Sequence, residues 1–527
     1  MKVLVSDTIS QAGIDILEGK GIDVTYNTSL SYEELLEEIG NYDGIILRSM
    51  TPLNEEVLSH ATNLKVIARA GSGYDNIDVE AASKKGIIVL NTPGQNSVSA
   101  AEQTMALMLG ISRNVAQAHQ AIREGIWDRK KYMGAELNKK TLGIIGLGRI
   151  GGLVAKRAKG FNMNVIATDP YIPSSKGKKL GVELVELDEL LERSDYITLH
   201  TPHTEETHHL LSDEEFSKMK DGVRVLNVAR GKNIDHKALY KALKEGKVAG
   251  AGIDVHEEEP LDEDYILLEF KDKVIVAPHL GGTTVEAMDN VSIDAAKQML
   301  MVFENGFPRT PLNIPTLKPD DMDNIKPYIS LAEKLGSFYA GLAEDRIEEI
   351  EVVYQGEISN YDLNPLTTAL IQGILNPILD ENVNLVNARL VAEERGITIS
   401  ETKSTNSKVY SNLVTLRVKN NGNVRELAGT VFNDSDLRIV AIDGYEIDLI
   451  PKGILLVTNH TDQPGIVGKV GSMLGANNVN IASMQLGRNK VGGRAIMVLN
   501  IDQEIGESLK EEIMEIEGMT GVYVLAL

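Results

Sequence analysis

From Lys2 to Leu90 short apolar runs alternate with stretches whose apolar residues recur at helical spacing. KVLVSD, GIDVTY, GIILRS, LKVIARA and GIIVLN are too short for helices and are bounded by turn residues, so they predict buried strands. Strands separated by helices make an α/β fold with a parallel sheet. From Asn96 a long helical pattern follows, SVSAAEQTMALMLGISRNVAQAHQAIREG, with Asn96-Ser97 expected to cap it and Glu102 near its first turn. It stops at Gly125-Ile126-Trp127 and is expected to bridge two domains. The alternation resumes with TLGIIGLGRIGGLVAKRAKGFNMNVIATD and then DYITLH, VRVLNVAR, AGAGIDV and KVIVAPH, all strand-like. Gly282–Gly306 reads as a further amphipathic helix, and Phe307–Pro319, with four prolines, as a linker. Up to Pro451 the pattern is mixed: helices near Ile325–Leu342 and Pro365–Glu393, then strands in KVYSNLVTLRV and LRIVAIDGYEIDLI, with no motif that carries chemistry. The end is clearer. GILLVTNH, a helix from Gly465, VNIASMQLGR, GRAIMVLNID, a helix near Glu507–Ile516 and GVYVLAL give the βαββαβ order of a small ferredoxin-like domain.

At 527 residues the chain has room for roughly three or four domains. It is 43% hydrophobic but only 5% aromatic, so its cores are aliphatic. A net charge of −23 argues against nucleic acid or an anionic membrane as partner. Without cysteine there is no disulfide and no thiolate metal site. The opening MKVLVSD is a strand without a basic leader, and a cytoplasmic protein is expected.

Chemistry concentrates at strand ends. Between Thr141 and Asp169 the order strand, glycine turn, helix, strand places Gly146 at the tight turn, Gly148 where backbone meets a pyrophosphate, and Gly151 where helix and strand pack. Asp169 would accept ribose hydroxyls and repel a 2′-phosphate, which predicts NAD rather than NADP. Arg48 and Ser49 end one strand, and Arg69 leads into the loop AGSGYDNID, positions that suit an anionic substrate. Taken singly, each arginine is as readily a surface ion pair, and Arg129–Lys131 a solvated face. Thr201-Pro202, Arg230, the Asp254–Glu259 loop and His279 close later strands. Together Arg230, Glu259 and His279 form the set a hydride-transfer dehydrogenase needs: a histidine base, a carboxylate that holds it, and a guanidinium for the substrate carboxylate. His200, His203, His208 and His209 are not read as a zinc site, because no carboxylate or thiolate completes a ligand spacing; no metal is expected.

NTPGQNSVSAAE, GLGRIG, LNVARG, GIDVHEEEP and APHLGG resemble the signature segments of the D-isomer-specific 2-hydroxyacid dehydrogenases, over about the first 305 residues. GIIVLNTPGQNSVSAAE, WDRKKYMGAEL and the C-terminal extension resemble the long-form members that act on 3-phospho-D-glycerate. In these the extension is an intervening regulatory domain followed by an ACT domain, whose effector loop TNHTDQPGIVGKVGSMLGANNVNI resembles. The resemblance implies a Rossmann-type doubly wound sheet (98–282) inserted in a flavodoxin-like α/β substrate domain (1–97 and 283–306). Two α+β domains would follow, at 307–451 and 452–527. It implies that Arg230, Glu259 and His279 are catalytic, with His279 the proton donor in the reducing direction. It further implies NAD contacts from Ser72, Arg149, Ile150, Asp169, Thr201, Val228, Ala229, Arg230, Asp254, His279 and Gly282. Arg48, Ser49, Arg69, Ser72, Gly73 and Asn96 would bind substrate, while Arg129–Lys131 would reach a neighbouring subunit's site. His460, Asp462 and Asn480 match positions that hold L-serine at a subunit interface, and the family implies a homo-oligomer, dimer or tetramer. There are two departures: GKNID after Arg230 puts Lys232 and Asn233 near the site, and Met50 stands where some relatives carry a second arginine. The competing readings are a glyoxylate or hydroxypyruvate reductase of the same family, and a non-catalytic NAD-sensing regulator.

Overall fold

The computed structural model describes residues 1–304, 306–315, 319–343, 346–380, 382–407, 409–433 and 435–527. Asn305 of the Gly282–Gly306 pattern, Thr316–Lys318 of the linker and Lys408 at the head of KVYSNLVTLRV lie outside these residues.

The five early runs form β1 (Lys2–Val5), β2 (Asp23–Tyr26), β3 (Gly44–Leu47), β4 (Val66–Arg69) and β5 (Ile88–Asn91), all parallel, in the order β2-β1-β3-β4-β5. Leu4, Ile45, Leu47, Ile67 and Val89 point into one core, while Val3, Val5, Ile46, Val66 and Leu90 point into another. Burial on both faces explains why these strands read as continuous apolar runs. The helix Val285–Phe303 covers the second face through Val291, Ala295, Ala296 and Met299, so the chain returns to its first sheet.

Between the two visits lies a seven-stranded parallel sheet. Its strands are β6 (Thr141–Ile145), β7 (Asn164–Thr168), β8 (Glu183–Leu184), β9 (Tyr196–Leu199), β10 (Val223–Asn227), β11 (Val248–Ile253) and β12 (Val274–Val276), in the order β12-β11-β10-β9-β6-β7-β8. The chain reverses direction across the sheet between β6 and β9, and in such sheets the crevice at that switch point receives the ligand.

Two helical expectations are corrected. The run after Asn96 is two helices, Ser97–Arg113 and Val115–Arg123, parted by Asn114 at φ 53°, a left-handed conformation that asparagine tolerates. Nor does Asn96 cap the first: its side chain accepts from Ser72 Oγ at 2.9 Å, and Glu102 pairs with Arg157. Likewise Pro365–Glu393 divides into Asn364–Leu375 and Ala388–Glu394. Here Asn376 and Asn387 accept backbone N–H groups of Val383 and Asn384, offering the chain an alternative to the helical ladder.

The proline-rich link is bonded to the first sheet. Leu312 N–H donates to Val89 O (2.8 Å), Val89 N–H donates to Asn313 Oδ1 (2.9 Å), and Asn313 Nδ2 donates to Ile87 O (2.8 Å). The link thus runs antiparallel along the edge strand β5.

Beyond it, β13 (Glu349–Gly356), β14 (Thr398–Ser404), β15 (Asn412–Asn420), β16 (Asn423–Phe432), β17 (Asp436–Ile442) and β18 (Tyr445–Leu449) form one sheet in the order β14-β13-β15-β16-β17-β18. The last unit carries β19 (Ile454–Thr461), β20 (Ile481–Arg488), β21 (Arg494–Ile501) and β22 (Met519–Ala526), ordered β20-β21-β19-β22. Alternation along β19 and β21 divides its side chains. Leu456, Met497 and Leu499 meet the unit's own helices, while Leu455, Val457, Ile496 and Val498 enter the core of the preceding six-stranded sheet. Among the described residues no helix is long and apolar enough to cross a membrane.

Asn313→Ala should cost about 2 kcal/mol in denaturant unfolding, since it strips hydrogen bonds from the part-buried edge of β5. An unchanged midpoint would mean that water replaces those bonds.

Candidate active site

The carboxyl ends of both parallel sheets face a cavity of about 360 Å³. Among the predicted residues, Ser49, Arg69, Ser72, Gly73 and Asn96 line it from the first sheet's loops. Ile150, Val228, Ala229, Arg230, Asp254, Glu259, His279 and Gly282 line it from the other side. Arg48, Arg149, Thr201, Asp169 and the motif glycines lie outside this wall, and so does the exposed Met50.

The glycine turn has the required backbone. Gly146 sits at φ 92°, and a Cβ on Gly151 would come within 2.2 Å of Gly146 O. In front of the helix Arg149–Gly160, the space beside Gly148 is open, so its unpaired N–H groups are accessible to a diphosphate. Asp169, one residue past β7, clasps the turn: its carboxylate accepts from Leu147 N at 2.9 Å and Tyr171 N at 3.0 Å. Arg149 lies against Gly94 of the first sheet's last loop, and Thr201 is held by Asn233 Nδ2 at 3.1 Å. This donor set fits a dinucleotide with an unphosphorylated ribose.

Around the cavity, positive charge gathers. Burial pushes the Arg48 pKa down, against the charge of Asp7. Arg69 is pushed down to about 10, chiefly by burial and then by the charges of Arg48 and Arg230. Arg48 Nε and Arg69 Nε are buried without hydrogen-bond partners. Arg230 Nε donates to Asp75 Oδ2 at 3.1 Å, and its guanidinium fills the space that a Cβ on Gly73 would take. Asp7 and Asp75 are partners of these arginines that the sequence reading missed. Buried Asp7 accepts the N–H of Arg48 (2.6 Å) and of Met50 (3.1 Å), fixing the loop after β3. A signal existed, because Asp7 ends KVLVSD at the same sheet edge as Arg48.

His279 Nδ1 lies 2.8 Å from Glu259 Oε2. A carboxylate accepts, so Nδ1 carries the proton in this pair and Nε2 is left for a substrate hydroxyl. Burial raises the Glu259 pKa, but the hydrogen bonds from His279 and from His256 N–H outweigh it, and the carboxyl lies below its ordinary value. His279 sits at φ 54°, with its N–H shared between Asp254 O (2.8 Å) and Ala277 O (3.0 Å). Asp254, fully buried, accepts from Gln103 Nε2, Leu280 N and Gly281 N, which shapes the loop that continues to Gly282.

The histidines need one correction. His209 has Glu257 Oε1 at 2.8 Å from Nε2 and Asp235 Oδ2 at 3.9 Å from Nδ1, so the fold supplies carboxylates that spacing did not reveal. They contact different ring nitrogens, although one ligand atom from each of His209, Asp235 and Glu257 lies within 4.8 Å of the others. Lys232 lies on the cavity wall, whereas buried Asn233 acts through Thr201. In the last unit His460 is buried in β19, Asp462 accepts from Arg488 Nη1 and Gly492 N, and Asn480 donates to Asp502. Among the described residues no hydrogen bond joins Asn480 to His460 or Asp462.

Residues 105–281 match the D-isomer specific 2-hydroxyacid dehydrogenase, NAD binding domain, 324–443 the D-3-phosphoglycerate dehydrogenase intervening domain, and 453–518 the ACT domain. The D-3-phosphoglycerate dehydrogenase of Archaeoglobus fulgidus is 43% identical, over 98% of both chains. The chain belongs to the D-3-phosphoglycerate dehydrogenase family. Another member, from Methanocaldococcus jannaschii, is 42% identical over the whole of both chains. The D-lactate dehydrogenase of Aquifex aeolicus, complexed with NAD and lactic acid, superposes at TM-score 0.52 with 31% identity, covering 58% of this chain and 96% of that one. Family membership makes the protein an NAD-dependent D-2-hydroxyacid dehydrogenase with a C-terminal ACT domain.

Glu259→Gln should remove a pH-dependent part of the stability. Because the folded carboxyl lies below its ordinary value of 4.5, the wild type's advantage is complete above that value and fades as pH falls through the folded one. Tm measured across pH checks this; an advantage that grew on acidification would contradict the pairing.

Proposed function

We propose that the chain oxidises 3-phospho-D-glycerate to 3-phosphooxypyruvate with NAD in the cytoplasm, as the first step of L-serine synthesis, with L-serine as feedback effector. The guanidinium cluster carries the substrate reading. Arg69 and Arg230 line one cavity beside the His279–Glu259 pair, with Arg48 charged behind Arg69, and a substrate with a phosphate and a carboxylate relieves their mutual repulsion. The names of the full-length relatives support the same substrate.

In this reading Arg230 leaves Asp75 to bind the substrate carboxylate and to polarise the forming carbonyl. Arg69, with Arg48 behind it, receives the phosphate. His279 Nε2 takes the hydroxyl proton while Glu259, on Nδ1, balances the charge the ring acquires. NAD, when bound, accepts the hydride from C2. Gly146, Gly148, Arg149, Ile150 and Gly151 would hold its diphosphate, Asp169 its ribose, and Thr201, Val228, Ala229 and Asp254 its nicotinamide end. Residues 1–97 and 283–306 act as the substrate domain, to whose edge strand the link through Asn313 is bonded, 98–282 as the NAD domain, the remainder to 451 as the intervening domain and 452–527 as the ACT domain. His460, Asp462 and Asn480 form the serine site at a subunit interface, a reading supported by the absence, among the described residues, of any hydrogen bond from Asn480 to the other two. Exposed Val115, Ile122, Ile126 and Trp127, beside Arg129–Lys131, support a homo-oligomer.

The test is NADH formation from 3-phosphoglycerate, D-glycerate and D-lactate with NAD or NADP, with and without L-serine. Turnover confined to the phosphorylated substrate with NAD, and lowered by serine, is expected; preference for D-glycerate would move the reading to a reductase. Arg69→Gln should raise KM for 3-phosphoglycerate about 30-fold, from the loss of roughly 2 kcal/mol of charge-assisted bonding, and leave KM for NAD unchanged. Asp169→Ala should narrow the preference for NAD over NADP.

A further inference from the structure

His256 opens the loop that carries Glu259 and borders the cavity, yet the hydrogen bonds of its ring go to Tyr265 and Ala277, not to Glu259 or the cavity's arginines. Its backbone N–H donates to Glu259 Oε1 at 3.0 Å. Its ring turns the other way, with Nε2 lying 3.0 Å from Ala277 O. That carbonyl also receives the N–H of His279, in the turn that holds His279 at φ 54°. A left-handed backbone on a residue other than glycine costs energy and persists only where its surroundings fix it. One residue therefore grips both halves of the pair: Glu259 through its backbone and the turn under His279 through its ring.

The ring itself is held in one tautomer. A carbonyl can only accept, so His256 Nε2 carries the hydrogen and Nδ1 is an acceptor, 3.3 Å from Tyr265 Oη. Tyr265 Oη donates to it and accepts from His236 Nδ1 at 3.0 Å. Burial brings the His236 pKa down to about 4, so that ring is neutral at neutral pH and its single hydrogen lies on Nδ1. All hydrogen bonds of the chain His236, Tyr265, His256, Ala277 O then run in one direction.

We propose that His256, oriented by Tyr265 and His236, is a positioning residue for the His279–Glu259 pair: its Nε2–H bond to Ala277 O fixes the turn that aims His279 Nε2 into the cavity. The inference rests on the dehydrogenase reading above, and substrate contact plays no part in it.

The experiment compares His256→Phe, which keeps the ring volume but loses the donor, with His256→Gln, whose Nε2 reaches a similar position. For each, kcat and KM are measured for 3-phosphoglycerate and NAD, and amide hydrogen exchange is followed in the peptide spanning Ala277–Gly282. His256→Phe should lower kcat at least about tenfold with little change in either KM, and speed exchange in that peptide. His256→Gln should restore most of both, and Tyr265→Phe should fall between. A kcat for His256→Phe within about twofold of wild type, or a Gln variant no better than Phe, overturns the proposal. Failure of the wild type to oxidise 3-phosphoglycerate overturns the substrate reading instead; the exchange comparison still decides the role of His256.

Discussion

Positive charges held close together around a partly buried cavity repel one another and are screened less than at an exposed surface, and the arrangement of Arg48, Arg69 and Arg230 persists under that constraint. Asp7 and Asp75 offset part of the charge, the first from just past the end of β1 and the second from a glycine-rich loop. Two guanidinium nitrogens still face the interior without an acceptor. A site in this state is stabilised by whatever anion enters it, because the ligand supplies both the missing acceptors and the missing charge. The facing carboxyl edges of two parallel sheets are the scaffold that makes such crowding possible.

Much of this was legible in the sequence because it is written in strand ends. Runs such as GIILRS and VRVLNVAR contain both the buried strand and the residue that emerges at its carboxyl end, so Arg48 and Arg230 could be placed before any contact was known. The glycine turn was equally readable, since Gly146, Gly151 and Asp169 constrain backbone rather than side-chain contacts. What stayed hidden depends on long-range partners. Neither Glu257 and Asp235 beside His209, nor Asp75 against Arg230, shows in any local period. The break at Asn114 was invisible for another reason: a single left-handed residue leaves the helical apolar pattern on either side nearly in phase.

In the C-terminal half the βαββαβ order leaves open what covers each face of the sheet built on β19 and β21. Both faces are buried. Leu455, Val457, Ile496 and Val498 complete the core of the neighbouring sheet, so the ACT unit and the intervening unit share apolar packing and meet through side chains, not through a flexible joint.

The proline-rich link carries one more consequence. By its composition it is the place to divide the chain, yet Leu312 and Asn313 serve as the edge partner of β5. A cut at Phe307 would leave the N-terminal half with a bare strand edge, open to pairing with another copy. The unit that can be excised intact ends beyond Asn313, several residues into what its prolines advertise as a spacer.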